Sequence, residues 1–136
     1  MKQTKTIFLI SKIREKANKF ILADLGQHGI TKLAPSHGDI LACLYQRERV
    51  TMKEISDSIH RTKPTVTVLV NKLAELGLVK KFQAAEDSRV IYVELTEQGK
   101  ALQKLFEKIS SDLVQKVFQN MEQEEMKKLE ISLQKI

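Results

Sequence analysis

Several devices are missing from this chain, and each absence narrows its class. One cysteine, Cys43, in 136 residues rules out an intrachain disulfide framework, the usual support of small secreted domains, and makes a reducing cytoplasm the expected compartment. No stretch approaches the roughly 18 consecutive apolar residues of a membrane-spanning helix, so no membrane partner is expected. The basic start Met1-Lys2-Gln3-Thr4-Lys5 leads into an apolar run, Ile7 to Ile10, that Ser11, Lys12 and Arg14 interrupt too early for a secretory leader. The three histidines, His28, His37 and His60, stand singly, without the His-x-x-x-His or Cys-x-x-Cys spacing of a metal site. Neither a metal nor a tightly held cofactor is expected. A nucleophile elbow, a glycine-rich phosphate loop and a convergent acid–base pair are also lacking. The sequence therefore does not read as an enzyme. Internal repeats and low-complexity tracts are absent too.

What remains is one domain's length with a single modest core and a basic charge balance. The formal net charge is +6, which permits an anionic partner. Residues 1–35 hold seven Lys/Arg against two Asp/Glu, whereas residues 36–95 net only +1. Within that middle segment the basic residues cluster: Arg61, Lys63, Lys72, Lys80 and Lys81 face only Glu75 between Arg61 and Lys81.

That cluster surrounds an unusual helix. Val66, Leu69, Val70 and Leu73 recur at the spacing of one apolar stripe facing a core. The opposite arc carries Pro64, Thr67, Val68, Asn71, Lys72 and Glu75, with short hydroxyls, an amide and a valine where an ordinary solvated face carries Glu and Lys. Hydroxyls and amides read base edges, and an apolar methyl can meet the thymine methyl in a major groove. Thr62 or Lys63 is the expected N-cap, Pro64 fits the first turn, and Gly77 suits the left-handed position after the last turn. Just upstream, Thr51 and Glu54 form a capping box for a shorter helix with Met52, Ile55 and Ile59 on its apolar face. Two helices joined by a short link at 60–62 have the layout of a helix-turn-helix. Val79–Phe82 and Val90–Leu95 then read as a hairpin with its tip at 83–89, a wing, and Val50 adds a short third strand. An arginine at the tip, Arg89, suits a narrow minor groove or the phosphate backbone.

Gly77-Leu78-Val79, Asp87-Ser88-Arg89 and Leu95-Thr96-Glu97-Gln98-Gly99 follow the order and spacing of the MarR (multiple antibiotic resistance regulator) family, which the chain resembles over nearly its whole length. Ser88 departs from the pattern, since many relatives carry a basic residue there. The resemblance implies a mainly α fold with a small β-hairpin wing, a winged helix-turn-helix with N- and C-terminal dimerisation helices. It further implies a transcriptional regulator, commonly a repressor, that leaves DNA when a small aromatic or anionic effector fills a crevice between the dimer helices and the winged domain. Ile13, His37, Leu41 and the strand that supports Arg89 are expected near that crevice.

The remaining segments agree with this layout. A first helix is expected from about Thr6 to Leu25, ended by Gly26 and Gly29. A second helix is capped by Ser36, with Ile40, Leu41, Leu44 and Tyr45 on its apolar face and its entry open to a phosphate. Thr96 caps a long helix with a heptad-like seam through Leu102, Leu105, Phe106, Ile109, Leu113, Val117 and Phe118. A last helix covers roughly Glu122 to Gln134. These terminal helices carry more apolar surface than the small core can cover, so a two-fold homodimer is expected. The expected organisation is residues 1–35 for dimerisation, 36–95 for DNA binding and 96–136 for the closing dimer helices.

The double-stranded DNA surface is assigned to Ser36, Lys63, Pro64, Thr65, Thr67, Val68, Asn71, Lys72, Asp87 and Arg89. In it Lys63, Thr65, Thr67, Val68 and Asn71 contact bases and adjacent phosphates, Ser36, Lys72 and Arg89 fix register, and Asp87 shapes the tip. The alternative is a winged-helix adaptor that uses the same face to bind a protein. Cys43, within the second helix's apolar stretch, reads as a small buried hydrophobe rather than a redox sensor.

Overall fold

The computed structural model describes residues 3–136. Its elements run α1 (Thr6–Gln27), α2 (Pro35–Gln46), β1 (Val50–Thr51), α3 (Met52–Ile59), α4 (Lys63–Glu75), β2 (Val79–Gln83), β3 (Ile91–Leu95), α5 (Glu97–Ala101), α6 (Gln103–Val117) and α7 (Gln123–Gln134). The core lies where α2, α3 and α4 meet the three-stranded sheet. Ile40, Leu41, Ile55, Val66, Val70, Leu73 and Val93 are all fully buried there. This is the winged helix-turn-helix that the hydrophobic periodicity predicts, down to the stripe of α4.

The sheet is antiparallel in the order β1-β3-β2. Val50 pairs with Val93, so the two-residue β1 is the third strand expected of Val50. In the hairpin, Lys80 stands opposite Glu94 and Lys81 opposite Val93. Successive residues of a strand point to opposite faces, which sends Lys80 and Lys81 to different sides. Lys80 pairs with Glu94 at 3.5 Å, and Arg49 joins that carboxylate at 3.4 Å while lying over the Phe82 and Tyr92 rings.

Local chemistry sets the ends of α4 and of its neighbour α3. The Thr51 hydroxyl accepts the Glu54 N–H at 3.0 Å and donates to the Glu54 carboxylate at 3.2 Å, fixing the start of α3. His60 takes the left-handed conformation, φ 55°, and turns the chain within three residues into α4. Thr62 is the N-cap of α4, and Pro64 lies in its first turn. At the other end Gly77 has φ +77°. The Leu78 N–H reaches Leu73 O and the Gly77 N–H reaches Ala74 O, each at 3.0 Å, the paired bonds of a Schellman ending.

Four boundaries differ from expectation. Ser36 is not the cap of α2: Ala34 holds that position with φ −91° and ψ 163°. Proline favours the first helical position and forces the preceding residue into extended conformation, so Pro35 moves the helix start one residue upstream. Gly26 does not end α1, which runs to Gln27; Gly29, with φ +76°, makes the turn. Thr96 caps a short helix rather than a long one, because the chain is interrupted at Leu102 between α5 and α6. Finally, Gln83 extends β2 by one residue while Val90 falls outside β3.

Gly99, inside α5, is closely packed against Leu78 and Leu95. Thr96 Oγ1 accepts the Gly99 N–H at 3.1 Å and donates to Gly77 O at 2.6 Å, while Tyr45 donates to Gly99 O at 3.1 Å. Burial pushes the Tyr45 phenol pKa up to about 12, with the Glu107 charge adding to it, so the donor stays protonated. These bonds fasten the end of α4 and the start of β2 to α5. Beyond it α6 packs on α1, whereas α7 buries none of its residues.

Candidate nucleic-acid interface

One face of α4 is fixed and the other is bare. Val66, Val70 and Leu73 are fully buried, which leaves Lys63, Pro64, Thr65, Thr67, Val68 and Asn71 exposed and Lys72 half-buried. Val68 is 69% exposed, at the middle of a helix whose orientation its buried stripe dictates. The Thr67 hydroxyl donates to Lys63 O at 2.9 Å, and Thr62 donates to the Thr65 hydroxyl at 3.1 Å. Each hydroxyl oxygen retains acceptor capacity on the outward side.

The wing stands beside the N-terminal half of α4. Its tip is closed by the Ala84 N–H to Val90 O at 2.9 Å and the Val90 N–H to Asp87 O at 3.0 Å. Asp87 shapes the turn directly: Oδ1 accepts the Arg89 backbone N–H at 3.0 Å and the guanidinium Nε at 3.2 Å. The Arg89 hydrogen bonds hold the Asp87 carboxyl below the usual carboxylate range. The Arg89 side chain is 89% exposed, so it is oriented by Asp87 and still open to solvent. Between the tip and the starts of α3 and α4 lies a hollow of about 430 Å³ whose lining includes Lys53, Lys63, Thr67 and Arg89. Three cations and a hydroxyl thus converge on one concave surface.

Asn71 and Lys72 lie further along α4. Asn71 Oδ1 accepts a hydrogen bond from Lys81 Nζ on β2 at 2.5 Å. The Lys72 charge lies near the start of α2, where it acts with burial on His37. Burial, the larger effect, and Lys72 both lower the His37 pKa. His37 Nδ1 accepts the Ala34 N–H at 2.8 Å, the bond of a neutral ring. Ser36 is half-buried in the first turn of α2 and does not line the wing hollow.

The structure thus gathers Lys63, Thr67 and Arg89 into one hollow and sets Thr65, Val68 and Asn71 on the adjoining open arc. Lys53 and Lys81 were missed as site residues. Lys53 follows the capping box in the first turn of α3, a signal of place that says nothing of which way the side chain leans. For Lys81 the alternation of Lys80 and Lys81 showed only that one of them faces the helix side.

A second concavity, a cleft of about 480 Å³, lies between α1 and the α2–α3 pair and includes Arg14, Asp39, Cys43, Arg47, Glu54 and Arg61 in its lining. Arg47 pairs with Glu54. Burial raises the Asp39 pKa while Arg14 and Arg61 draw it back down. His37 and Leu41, expected near a crevice, are buried on the inner face of α2, while this cleft is bordered by the other arc through Asp39, Ala42, Cys43 and Gln46. Ile13 lines a separate groove between α1 and α6. Cys43 is only half-buried, with Sγ 3.2 Å from the Ser58 hydroxyl, because it borders this cleft rather than the core. Among the described residues no group of His, Cys, Asp and Glu could hold a metal, and no helix is long and apolar enough to cross a membrane.

Comparison with known proteins agrees with this architecture. Residues 33–91 match the MarR family. The chain is similar to the HTH-type transcriptional regulator SarZ of Staphylococcus epidermidis, with 30% identity over 97 residues, 70% of this chain and 63% of SarZ. The chain spans under two-thirds of the length of the curated relatives it matches. Those relatives are named as transcriptional regulators rather than enzymes. Among solved structures, the S. aureus MepR–DNA complex superposes with a TM-score of 0.88 at 24% identity, covering 98% of this chain and 96% of that one. Bordetella bronchiseptica BpsR, whose structure concerns regulation of DNA binding by 6-hydroxynicotinic acid, superposes with a TM-score of 0.85 at 17% identity, covering 97% and 98% of the two chains. At such identities the superpositions establish the fold: a MarR-type winged helix.

Proposed function

We propose that this chain, whose residues 33–91 match the MarR family, is a transcriptional regulator that binds a pseudo-palindromic operator in duplex DNA as a homodimer. The observation that carries the reading is Val68, 69% exposed on a helix already fixed by its other face and flanked by a cation-lined wing. An apolar side chain presented among hydroxyls and an amide suits base edges in a major groove. Lys63, Thr65, Thr67, Val68 and Asn71 contact bases and nearby phosphates, after Pro64 sets the first turn. Ser36, Lys72 and Arg89 fix register on the backbone, with Asp87 shaping the wing tip. Residues 36–95 form the DNA-binding region.

Residues 1–35 and 96–136 supply the dimer. Ile7, Phe8 and Leu9 on α1 are 70%, 60% and 51% exposed, and Ile131 on α7 is 56% exposed. That surface is too apolar to stay in water, and a second copy covers it with two-fold symmetry. The two α4 helices then reach successive major grooves with centres roughly 34 Å apart. The cleft bordered by Arg14 and Arg61 suits a small anionic or aromatic acid; the acid named in the BpsR structure has that chemistry. Such an effector releases the operator if it binds better to a dimer whose helix spacing does not match the groove repeat. Repression is the simplest outcome of operator occupancy, with the reducing cytoplasm as its setting.

The test is selection of bound fragments from genomic DNA, followed by footprinting and a salt series. Two protected half-sites about one helical turn apart and an affinity falling steeply with salt through counterion release support the proposal. An absence of any footprint, with salt-insensitive capture of a protein partner, favours the adaptor instead.

A further inference from the structure

The Asn71 amide is already half spoken for. Lysine has only donors, so the Asn71 atom facing Lys81 Nζ is the carbonyl oxygen. This assigns the amide orientation without ambiguity. Asn71 lies on the exposed arc with Thr67 and Val68, one turn along the helix from each. Lys81 comes from β2, held in register by the pairing of Lys81 with Val93, so the cation arrives from the sheet rather than from the same helix.

An asparagine reads adenine by using both ends of its amide, accepting from N6 and donating to N7. Lys81 takes one of the two Oδ1 lone pairs and sets a positive charge beside the other, so a base donor such as adenine N6 meets the ammonium there, while both N–H groups of Nδ2 stay free. Guanine presents two acceptors in the major groove, N7 and O6, and no donor there, whereas adenine presents N7 beside an N6 donor. Amide N–H groups standing beside an ammonium group make this patch rich in donors and therefore favour guanine. We propose that Lys81 is a specificity-positioning residue: by holding Asn71 Oδ1 it makes Asn71 a reader of guanine instead of adenine. The inference rests on the DNA-binding reading above and adds to it the base class that one pair of symmetric operator positions selects.

The experiment is selection from a randomised duplex library by the full-length protein and its Lys81→Arg, Lys81→Met, Asn71→Ala and Asn71→Ala/Lys81→Met variants. Both side chains are exposed, so these substitutions leave the core intact. Wild type and Lys81→Arg, which keeps a donor, enrich guanine at one symmetric pair of positions. Lys81→Met frees Oδ1 and moves the guanine-to-adenine ratio there toward adenine by roughly tenfold. The two variants lacking Asn71 lose both preferences. Loss of a phosphate contact or general destabilisation would weaken every sequence alike and leave the base profile unchanged. An unchanged profile for Lys81→Met, or adenine already enriched by wild type, overturns the proposal. A wild type that enriches no sequence at all removes the DNA-binding reading itself, an outcome distinct from either.

Discussion

Replacing Gly99 with alanine tests the joint between the reading helix and the helices that follow the wing. A Cβ on Gly99 would stand 2.1 Å from Leu78 O, 3.1 Å from Leu78 C and 3.0 Å from Leu95 Cδ2. The side-chain methyl of Leu95 can yield, but the carbonyl cannot easily do so. Leu78 O accepts the Thr96 N–H at 3.0 Å, and the Leu78 N–H is tied to Leu73 O at 3.0 Å. Moving the methyl away instead displaces Gly99 from Thr96 Oγ1 and Tyr45 Oη, two bonds worth about 1 kcal/mol each. Overpacking of this kind costs about 1–3 kcal/mol, occasionally more, and a clash against pinned backbone belongs at the upper end, about 3 kcal/mol. For a chain of this size that lowers the melting temperature by roughly 10 °C. Gly26→Ala is the internal control. Nothing lies within 4 Å of its would-be Cβ and it sits inside α1, so the exchange is expected to stabilise by about 0.5–1 kcal/mol. Urea titrations of both variants at one protomer concentration, needed because the proposed dimerisation would couple stability to concentration, read the two effects with opposite signs. A Gly99→Ala midpoint within about 0.5 kcal/mol of wild type would refute the packing argument.

Four further outcomes are expected. Arg89→Ala weakens binding to operator and random DNA alike and reduces the salt slope by about one, whereas Val68→Ala changes discrimination at particular base pairs; equal losses on all DNA for both, read by fluorescence anisotropy, would contradict that division. Leu129→Lys on α7 places a charge in the apolar face left uncovered by one protomer, so sedimentation should show a monomer and operator affinity should fall by about 100-fold or more as the second half-site contact is lost. His37, held below its ordinary pKa by burial and by Lys72, binds fewer protons folded than unfolded. Its stabilisation is therefore full above about pH 6.5 and declines as pH falls from there toward the folded pKa. His37→Gln, which can still accept the Ala34 N–H, should flatten that decline between pH 7.5 and 5.5 in urea titrations. Asp39, whose pKa is raised mainly by burial, contributes in the opposite sense at lower pH. Thr51→Ala removes the cap of α3 and should cost about 1 kcal/mol, checked by the same titration.

Most of the fold was legible because its signals are local. The stripe Val66, Val70 and Leu73 needs only helical spacing, the Thr51–Glu54 box needs only three intervening positions, and Gly77 needs only its place after the last apolar residue. Failures came where a non-local contact decided the outcome. Thr96 does cap a helix, but that helix stops at Ala101, and no pattern in residues 96–118 announces the close approach of Gly99 to Leu78 O. Ser36 lost the cap to a competing local rule, since proline at position 35 outranks a hydroxyl at 36 in setting the first turn. Leu41 and His37 share the periodicity of Ile40 and Leu44 that assigns them to the core, and the cleft lined by Arg14 and Arg61 borders the opposite arc of α2.

The candidate site divides along the same line. The sequence marks the exposed arc of α4 and the arginine at the wing tip because burial of one helix face exposes the other. It does not mark what each exposed group is bonded to before DNA arrives. Asp87 and Arg89 are two residues apart, so their bond follows from turn geometry and was foreseeable. Asn71 and Lys81 are separated by a helix end, a Schellman turn and two strand residues. Only the strand register, Lys81 opposite Val93, sends that ammonium group toward α4 while Lys80 goes to Glu94. A one-residue slip would exchange the two lysines and free the Asn71 carbonyl. The partner of the Asn71 carbonyl is therefore fixed by the register of the sheet. A substitution that shifts the β2–β3 register should alter base preference at the Asn71 position without changing any residue of α4.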